Sequence, residues 1–483
     1  MKKTIKRIVF IALVSLSIIA CDSVDFGDVN DNPNAPSSAP TAGLLTNAMR
    51  IIGGTSIKDD VFNKGIVSHT TPLLYAQYVA NGQYPDESRY VTLNWSYYRF
   101  YAGPLRDLQE VVSVKTGSEA LDAANTIAVA TLTRAYILHT MTDRWGYIPY
   151  SEALQGFENT TPKFDSQEDV YKGLFNEIDT ALGMIDVVNP GPKGDILLGG
   201  NMNRWIQFGN TLKAVMALRL SKRDADLGGL AKTKFNEAIG NAITTSSENI
   251  YYTFLADDNN DNQLQDRFVD EGRKDWIMSD VLVNYMIGTG SSTAPQDPRL
   301  AKYADPVVGT STFVGARYGS GNDLVDNFSF ITKNIIENGE APGMIFTAAQ
   351  MHVSMAETVE LGWMAGSAQD HFKMAIQESM AQWGVDAAAA TAFANGYNYT
   401  GIQAIAEQKW VALYMQGFEA WAEWRRIGGP ATIAPPEIML NGLGVPQRQG
   451  YPSTTPSINK ANYDAAVAAQ GADDLDTKLW WAK

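Results

Sequence analysis

Residues 400–430 read TGIQAIAEQKWVALYMQGFEAWAEWRRIGGP. Ala406, Trp410, Leu413, Gly417, Ala420 and Trp424 recur at helical spacing along one stripe, and Val411, Tyr414, Phe418 and Trp421 fill the adjacent stripe. A helix apolar over that much of its girth is sandwiched between neighbours instead of lying on a surface. Thr400-x-x-Gln403 is an opening signal and Gly428-Gly429-Pro430 a stop. The stretch therefore predicts one long buried helix inside a helical protein.

The same spacing appears earlier in the chain. Ala128, Leu132, Ala135 and His139 predict a helix over about Ser118–Met141. Tyr171, Phe175, Ile178 and Leu182 predict another, after the capping box Ser166-x-x-Asp169, and Thr347-x-x-Gln350 opens a third. Leu361-Gly362 followed by Ala368-x3-Phe372 resembles a fragment of a tetratricopeptide repeat, but the spacing is shorter than the standard period of about 34 residues. The expected fold class is mainly α, with tetratricopeptide-like helical hairpins, long loop-rich insertions and a few short strands. The insertions are residues 81–94, 190–203, 256–274, 288–345 and 428–461, rich in Gly, Pro, Asn and Asp. Loops of that length within a folded domain usually carry function. The stretch 306–332 is where short strands are expected.

The chain has 483 residues, 45% hydrophobic and 19% charged, a globular composition. Its 38 bases against 53 acids make a nucleic-acid-binding surface an unsuitable main function. One cysteine excludes an intramolecular disulfide framework and a Cys-rich zinc site. That cysteine, Cys21, ends a leader in which Lys2, Lys3, Lys6 and Arg7 precede the mostly apolar run Ile8–Ala20. Thirteen helical residues span about 20 Å, short of a bilayer core of about 30 Å, so the run reads as a secretory signal. Ile18-Ile19-Ala20-Cys21 resembles a bacterial lipobox, whose cysteine is acylated and becomes the new N-terminus. Removing residues 1–20 leaves 34 bases against 53 acids. Asp22, Asp25 and Asp28 resemble a signal used in some Gram-negative bacteria for display on the outer face of the outer membrane. The expected organisation is a signal peptide over 1–20, a lipidated flexible tether over 21–41 and a single binding domain over 42–483.

Catalytic signatures are missing: the chain carries no HExxH, G-x-S-x-G or P-loop. His352 and His371 lie on separate predicted helices and read as packing residues. Carboxylate pairs for glycoside hydrolysis carry no information among 53 acids. Asp257, Asn259 and Asp261 occupy positions one, three and five of half a calcium loop, but Asn262 and Phe268 replace the glycine and glutamate such a loop needs. Calcium stays a weak candidate there; no other cofactor or metal is expected. The glycines between Gly191 and Gly200 lack the Gly-Lys-Ser/Thr ending of a phosphate loop and read as turns. Sugar recognition uses flat apolar faces beside fork-shaped or planar polar groups. Tyr84, Arg89 and Tyr90 in the first insertion, Arg273 and Trp276 after the acidic loop, and Tyr318 and Asn322 in the Gly-rich loop are the candidate ligand-binding residues, expected to stand in polar loops and to line one pocket. Trp95, Tyr98 and Tyr101 are expected to pack a helix running on through Leu105 and Leu108.

Several segments in order carry a family resemblance: Asn30-Asp31-Asn32-Pro33-Asn34-Ala35; Arg134-Ala135-Tyr136 leading to Asp143-Arg144-Trp145-Gly146-Tyr147-Ile148-Pro149-Tyr150; Asn203-Arg204-Trp205; Asp297-Pro298-Arg299-Leu300; Gly315-Ala316-Arg317-Tyr318-Gly319; Gln408-Lys409-Trp410 with Gly417-Phe418-Glu419-Ala420-Trp421 and Arg425-Arg426; Pro446-Gln447-Arg448; and Trp480-Trp481. Each is weak alone; their order over most of the chain resembles the SusD/RagB (SusD-like) family of outer-membrane nutrient-binding lipoproteins. At 348–357 the chain departs from the family's common Tyr-Ala-Glu approach, having Ala348-Ala349-Gln350 with Glu357 only after Met355-Ala356. The resemblance implies a SusD-like α/α superhelix with four tetratricopeptide-like units. It implies a non-enzymatic, surface-exposed lipoprotein that binds oligosaccharide, or peptide, and delivers it to a SusC-like TonB-dependent outer-membrane transporter. The competing readings are a secreted helical enzyme acting on glycans and a helical-repeat scaffold or adhesion lipoprotein. Nucleic acid is not an expected partner; the membrane is, through the lipid anchor.

The leader makes a direct prediction. Cys21→Ser is expected to abolish acyl-chain attachment, seen by mass spectrometry, and to move the protein from the membrane to the soluble fraction; an unacylated wild-type chain would contradict the reading.

Overall fold

The computed structural model describes residues 40–54, 65–91, 96–113, 120–288, 296–321 and 325–483. Cys21, the tether motif Asn30–Ala35, Trp95 and Asn322 lie outside them. The main elements in chain order are α1 (Thr41–Gly53), α2 (Thr70–Tyr75), β1 (Val79–Asn81), α3 (Arg106–Ser113), α4 (Ala120–Trp145), α5 (Gln167–Met184), α6 (Met202–Arg219), α7 (Leu230–Ile239), β2 (Ile250–Tyr252), β3 (Trp276–Met278), α8 (Asp280–Met286), β4 (Gly343–Phe346), α9 (Ala348–Glu360), α10 (Ala368–Gln382), α11 (Ala387–Gly396), α12 (Ile402–Ala412), α13 (Gly417–Ile427) and α14 (Lys460–Gln470). Helix pairs α4/α5, α6/α7 and α9/α10 pack most extensively, as tetratricopeptide-like hairpins do.

Two of the three predicted caps are made; the third, at Thr400, is not, because Gly401 takes the N-cap position of α12 without a side-chain bond. Ser166 accepts from the Asp169 amide at 3.0 Å and Thr347 from the Gln350 amide at 3.2 Å. The expected single helix over 402–427 is two. Met415 sits in the left-handed region at φ 69°, and α13 restarts at Gly417. At the restart the approach is close: a Cβ at Gly417 would lie 2.9 Å from Pro72 and 3.0 Å from the Leu73 backbone nitrogen, so glycine lets α13 press onto α2. The expected helix through Tyr98 and Leu108 forms without a gap from Tyr98 to Ser113, but carries a local widening. Tyr98–Phe100 is followed by a π-turn over Tyr101–Leu105 containing Pro104, which has no amide proton to give to an α-ladder, before α3 begins.

Two antiparallel pairs make up the sheets among the described residues: β1 with β3, in the register Val79↔Met278, Ala80↔Ile277 and Asn81↔Trp276, and β2 with β4, where Ile250 faces Phe346 across an irregularity before Tyr251↔Met344. The described part of 306–332 supplies only isolated bridges, Ile277↔Phe330, Ser279↔Ala316 and Ala304↔Ile331, and no strand. Glycines and polar residues there leave too little paired length for a ladder.

Where α4, α6, α9, α12 and α13 meet, the core is ionic. Arg219, wholly buried, contacts Asp143 at 3.0 Å, Glu419 at 2.6 Å and also Glu423. Lys409 bridges Glu423 at 2.5 Å and Glu357 at 3.3 Å, and Arg426 pairs with both of those carboxylates. Burial pushes Asp143 up, but the charges of His139 and Arg219 outweigh it and hold the carboxyl down at about 2. Burial likewise opposes ionisation of Glu423, and Arg426, Lys409 and Arg219 drive it well below the carboxylate range. A second buried arginine, Arg299, is bound by Asp297 at 2.6 Å, Gln408 at 2.6 Å and Ser379 at 3.0 Å, tying the 297–300 turn to α10 and α12.

Removing one partner of such a cluster strands the others. Glu423→Gln is expected to cost about 3–5 kcal/mol in urea unfolding. The pH dependence has a definite sign: acids depressed in the folded state stabilise it above their unfolded pKa, and that stability is lost as pH falls through the folded pKa. Acid unfolding monitored by circular dichroism is therefore expected between about pH 4 and 2, with Asp143 alone contributing about 2 kcal/mol.

Candidate functional site

The turn after β1 is held by one side chain. Asn81 Oδ1 accepts the amides of Gln83 at 3.1 Å and Tyr84 at 2.7 Å, while Asn81 Nδ2 donates to Glu87 at 2.9 Å. Opposite Asn81 across the ladder stands Trp276, and the chain leading into it carries Arg273. The register thus brings two insertions face to face. The Arg273 guanidinium lies 5.5 Å from the centre of the Tyr84 ring and pairs with Asp275 at 2.5 Å. Burial pulls the Arg273 pKa down, but the hydrogen bond to Asp275 and the charges of Asp275 and Glu271 raise it on balance, so the group stays cationic.

Behind this pair lies a polar cavity of about 190 Å³, walled by His69, Thr71, Glu87, Arg267, Arg273 and Trp276. A second cavity of about 270 Å³ is walled by Tyr251, Phe254, Met344 and Trp383, with Lys302 and Asn262 among its polar groups. Ser68 and Leu264 line both, so the two are neighbours across a shared wall. One half offers charged forks and hydroxyls, the other aromatic faces. That combination suits a ligand with polar edges and apolar faces, such as a pyranose ring.

The expected residues divide into two groups. Tyr84, 56% exposed, stands against Arg273, and Arg273 and Trp276 both line the polar cavity. Tyr90, Trp276 and Tyr318 are buried core residues, not exposed loop aromatics. Tyr318 donates from its hydroxyl to Leu74 O at 2.7 Å, and Tyr90, in the left-handed region at φ 62°, accepts from Gln77 at 3.0 Å. Arg89 is spent on loop fastening, donating to Gly319 O at 2.9 Å and Ser320 O at 2.7 Å. Of the calcium candidates, Asp257 Oδ1 accepts from the Asn259 amide at 3.2 Å and Asn260 Nδ2 at 2.9 Å, closing its own turn, and Asp261 is buried. Among the described residues no group of three or more His, Cys, Asp or Glu is placed to hold a metal ion.

Sequence reasoning did not find Glu87, Arg267, Tyr251, Phe254, Trp383 or Lys302. Trp383 had a local signal, since it caps α10 immediately before Gly384 in the left-handed region. The others depend on long-range packing.

A family model described as starch-binding and associating with the outer membrane, SusD-like, matches residues 33–452. Among solved structures, a chitin-binding protein superposes with TM-score 0.78 at 23% identity, covering 92% of this chain and 100% of that one. A SusD homologue from Bacteroides fragilis gives 0.78 at 20% identity, covering 92% and 99%. A chitin-binding SusD homologue from Flavobacterium johnsoniae gives 0.74 at 21%, covering 92% and 98%. No curated protein matches. At these identities the structural likeness establishes the fold.

Trp276 and Arg273 are expected to separate in stability measurements. Trp276→Ala empties a buried position and is expected to cost about 3–5 kcal/mol in urea unfolding. Arg273→Ala, at a partly exposed side chain, is expected to cost less, about 1–3 kcal/mol, from leaving the buried Asp275 without its partner.

Proposed function

The chain belongs to the SusD-like family of starch-binding proteins that associate with the outer membrane, and on that premise we propose that it is a surface lipoprotein that captures oligosaccharide and passes it to a SusC-like TonB-dependent transporter. The observation that carries the ligand class is the adjoining of a polar cavity lined by Arg267 and Arg273, the latter beneath the exposed Tyr84 ring, with an aromatic one lined by Tyr251 and Trp383. Planar donors such as Arg267 and Arg273 match vicinal hydroxyls, and the aromatic half takes the C–H face of a sugar ring. Relatives of the same fold whose names record chitin binding support a glycan as the cargo.

The role is binding without turnover. Glu87, the carboxylate in the polar wall, is engaged in holding Asn81 and through it the Tyr84 turn, a positioning task instead of an acid–base one. Attachment in this reading rests on acyl chains at Cys21; no helix among the described residues is long and apolar enough to cross a membrane.

The test is calorimetric titration of the full chain with malto- and chito-oligosaccharides, with product analysis of the recovered ligand. Recovery of intact sugar is expected, with affinity falling about tenfold or more in Arg273→Ala and Tyr84→Ala, the loss of a hydrogen bond to a charged group or of a stacking face. Unchanged affinity in both variants for a sugar the wild type binds would remove this site, and cleaved sugar would remove the binding-only role.

A further inference from the structure

The chain has four histidines, His69, His139, His352 and His371. His352 on α9 and His371 on α10 come together across a helix hairpin, with their Nδ1 atoms 3.4 Å apart. The other ring nitrogen of His352, Nε2, lies 2.9 Å from the Thr244 carbonyl oxygen. A carbonyl only accepts, so His352 Nε2 carries the proton and the neutral ring turns a bare Nδ1 lone pair toward its partner. Burial lowers the proton affinity of both rings, which favours the neutral form of each.

The separation discriminates between two accounts of this contact. A hydrogen bond with a nitrogen donor normally closes to about 2.7–3.2 Å, so 3.4 Å is long for one. Two imidazole nitrogens bound at about 2.0–2.1 Å to one tetrahedral ion stand about 3.3–3.4 Å from each other. We infer that His352 and His371 form a two-imidazole site for a divalent transition-metal ion, with Zn²⁺ the best fit to the spacing, outside the proposed sugar site. The Nε2–H to carbonyl bond of His352 is the outer partner that metal-ligating histidines usually have, fixing tautomer and ring direction. The Thr244 carbonyl is itself held in place, because the Thr244 amide donates to Glu248 at 2.9 Å. His371 is only partly buried and gives the ion access from solvent. Glu378 adds negative charge nearby, but its carboxylate accepts the Ser246 amide at 2.6 Å. Solvent or an exogenous anion therefore completes the coordination, and the bound ion ties α9 to α10.

The experiment is calorimetric titration of the full-length chain with Zn²⁺, alongside His371→Ala and His371→Gln, each checked for native circular dichroism. One Zn²⁺ per chain is expected in wild type, with affinity reduced about 10- to 100-fold in both variants. Zn²⁺ is also expected to raise the unfolding temperature of wild type and to leave that of the variants unmoved, because only a ligand bound to the folded state stabilises it. His371→Gln keeps a polar side chain of similar reach and carries the test should His371→Ala fold poorly. Absence of Zn²⁺ binding, or equal affinity in wild type and His371→Gln, overturns the assignment.

Discussion

Arg219 is fully buried, and its guanidinium is held by carboxylates from three places in the chain: Asp143 near the end of α4, and Glu419 and Glu423 on α13. Lys409 and Arg426 extend the same cluster to Glu357 on α9. Hydrophobic contact is non-directional and would let these helices slide; buried charge does not, because each ion tolerates only the geometry that satisfies it. The cluster therefore sets the mutual placement of α4, α6, α9, α12 and α13. Its rim is aromatic. Arg144 lies over Phe418 at 4.2 Å and Arg425 over Trp421 at 3.7 Å, so even the flanking cations are covered by rings. Arg299 repeats the device on a smaller scale between α10 and α12.

This frame explains what was legible in the sequence and what was not. The segments that mark the family, Asp143-Arg144-Trp145, Asp297-Pro298-Arg299 and the run from Gly417 to Arg426, are the ones whose charges and rings meet in the interior. Their order along the chain could be read, while their partners could not, since pairing is fixed by packing across hundreds of residues. Helical periodicity located α4 and α5 well, and a capping signal located the start of α9. Periodicity failed at Met415, where a left-handed backbone breaks a pattern that side-chain spacing alone treats as continuous; at Pro104 the missing amide proton only widens the helix into a π-turn. At the site the difficulty was burial. Tyr84 and Tyr90 sit in the same polar insertion, yet one is exposed and the other is packed against Tyr75 and Tyr318. Local composition does not distinguish them; the turn held by Asn81 does.

The proposed sugar site follows from the frame at one remove. Gly417 brings α13 onto α2, and α2 leads directly into β1, whose register with β3 sets Tyr84 and Arg273 across from each other. The aromatic half is assembled separately, from β2, β4 and the end of α10, and touches the polar half only along Ser68 and Leu264. Two independently supported surfaces sharing a wall suit a ligand made of repeating units, each unit short of polar or apolar contacts by itself.

The three-residue pairing of β1 with β3 carries a broader implication. A ladder so short fixes the direction of the chain leaving each end while demanding almost nothing of the residues beyond it. Exposed positions on the loops that emerge there, such as Tyr84, can exchange one side chain for another without disturbing the charged interior. Such a protein can acquire a new diet by rewriting a handful of loop positions on an inherited chassis.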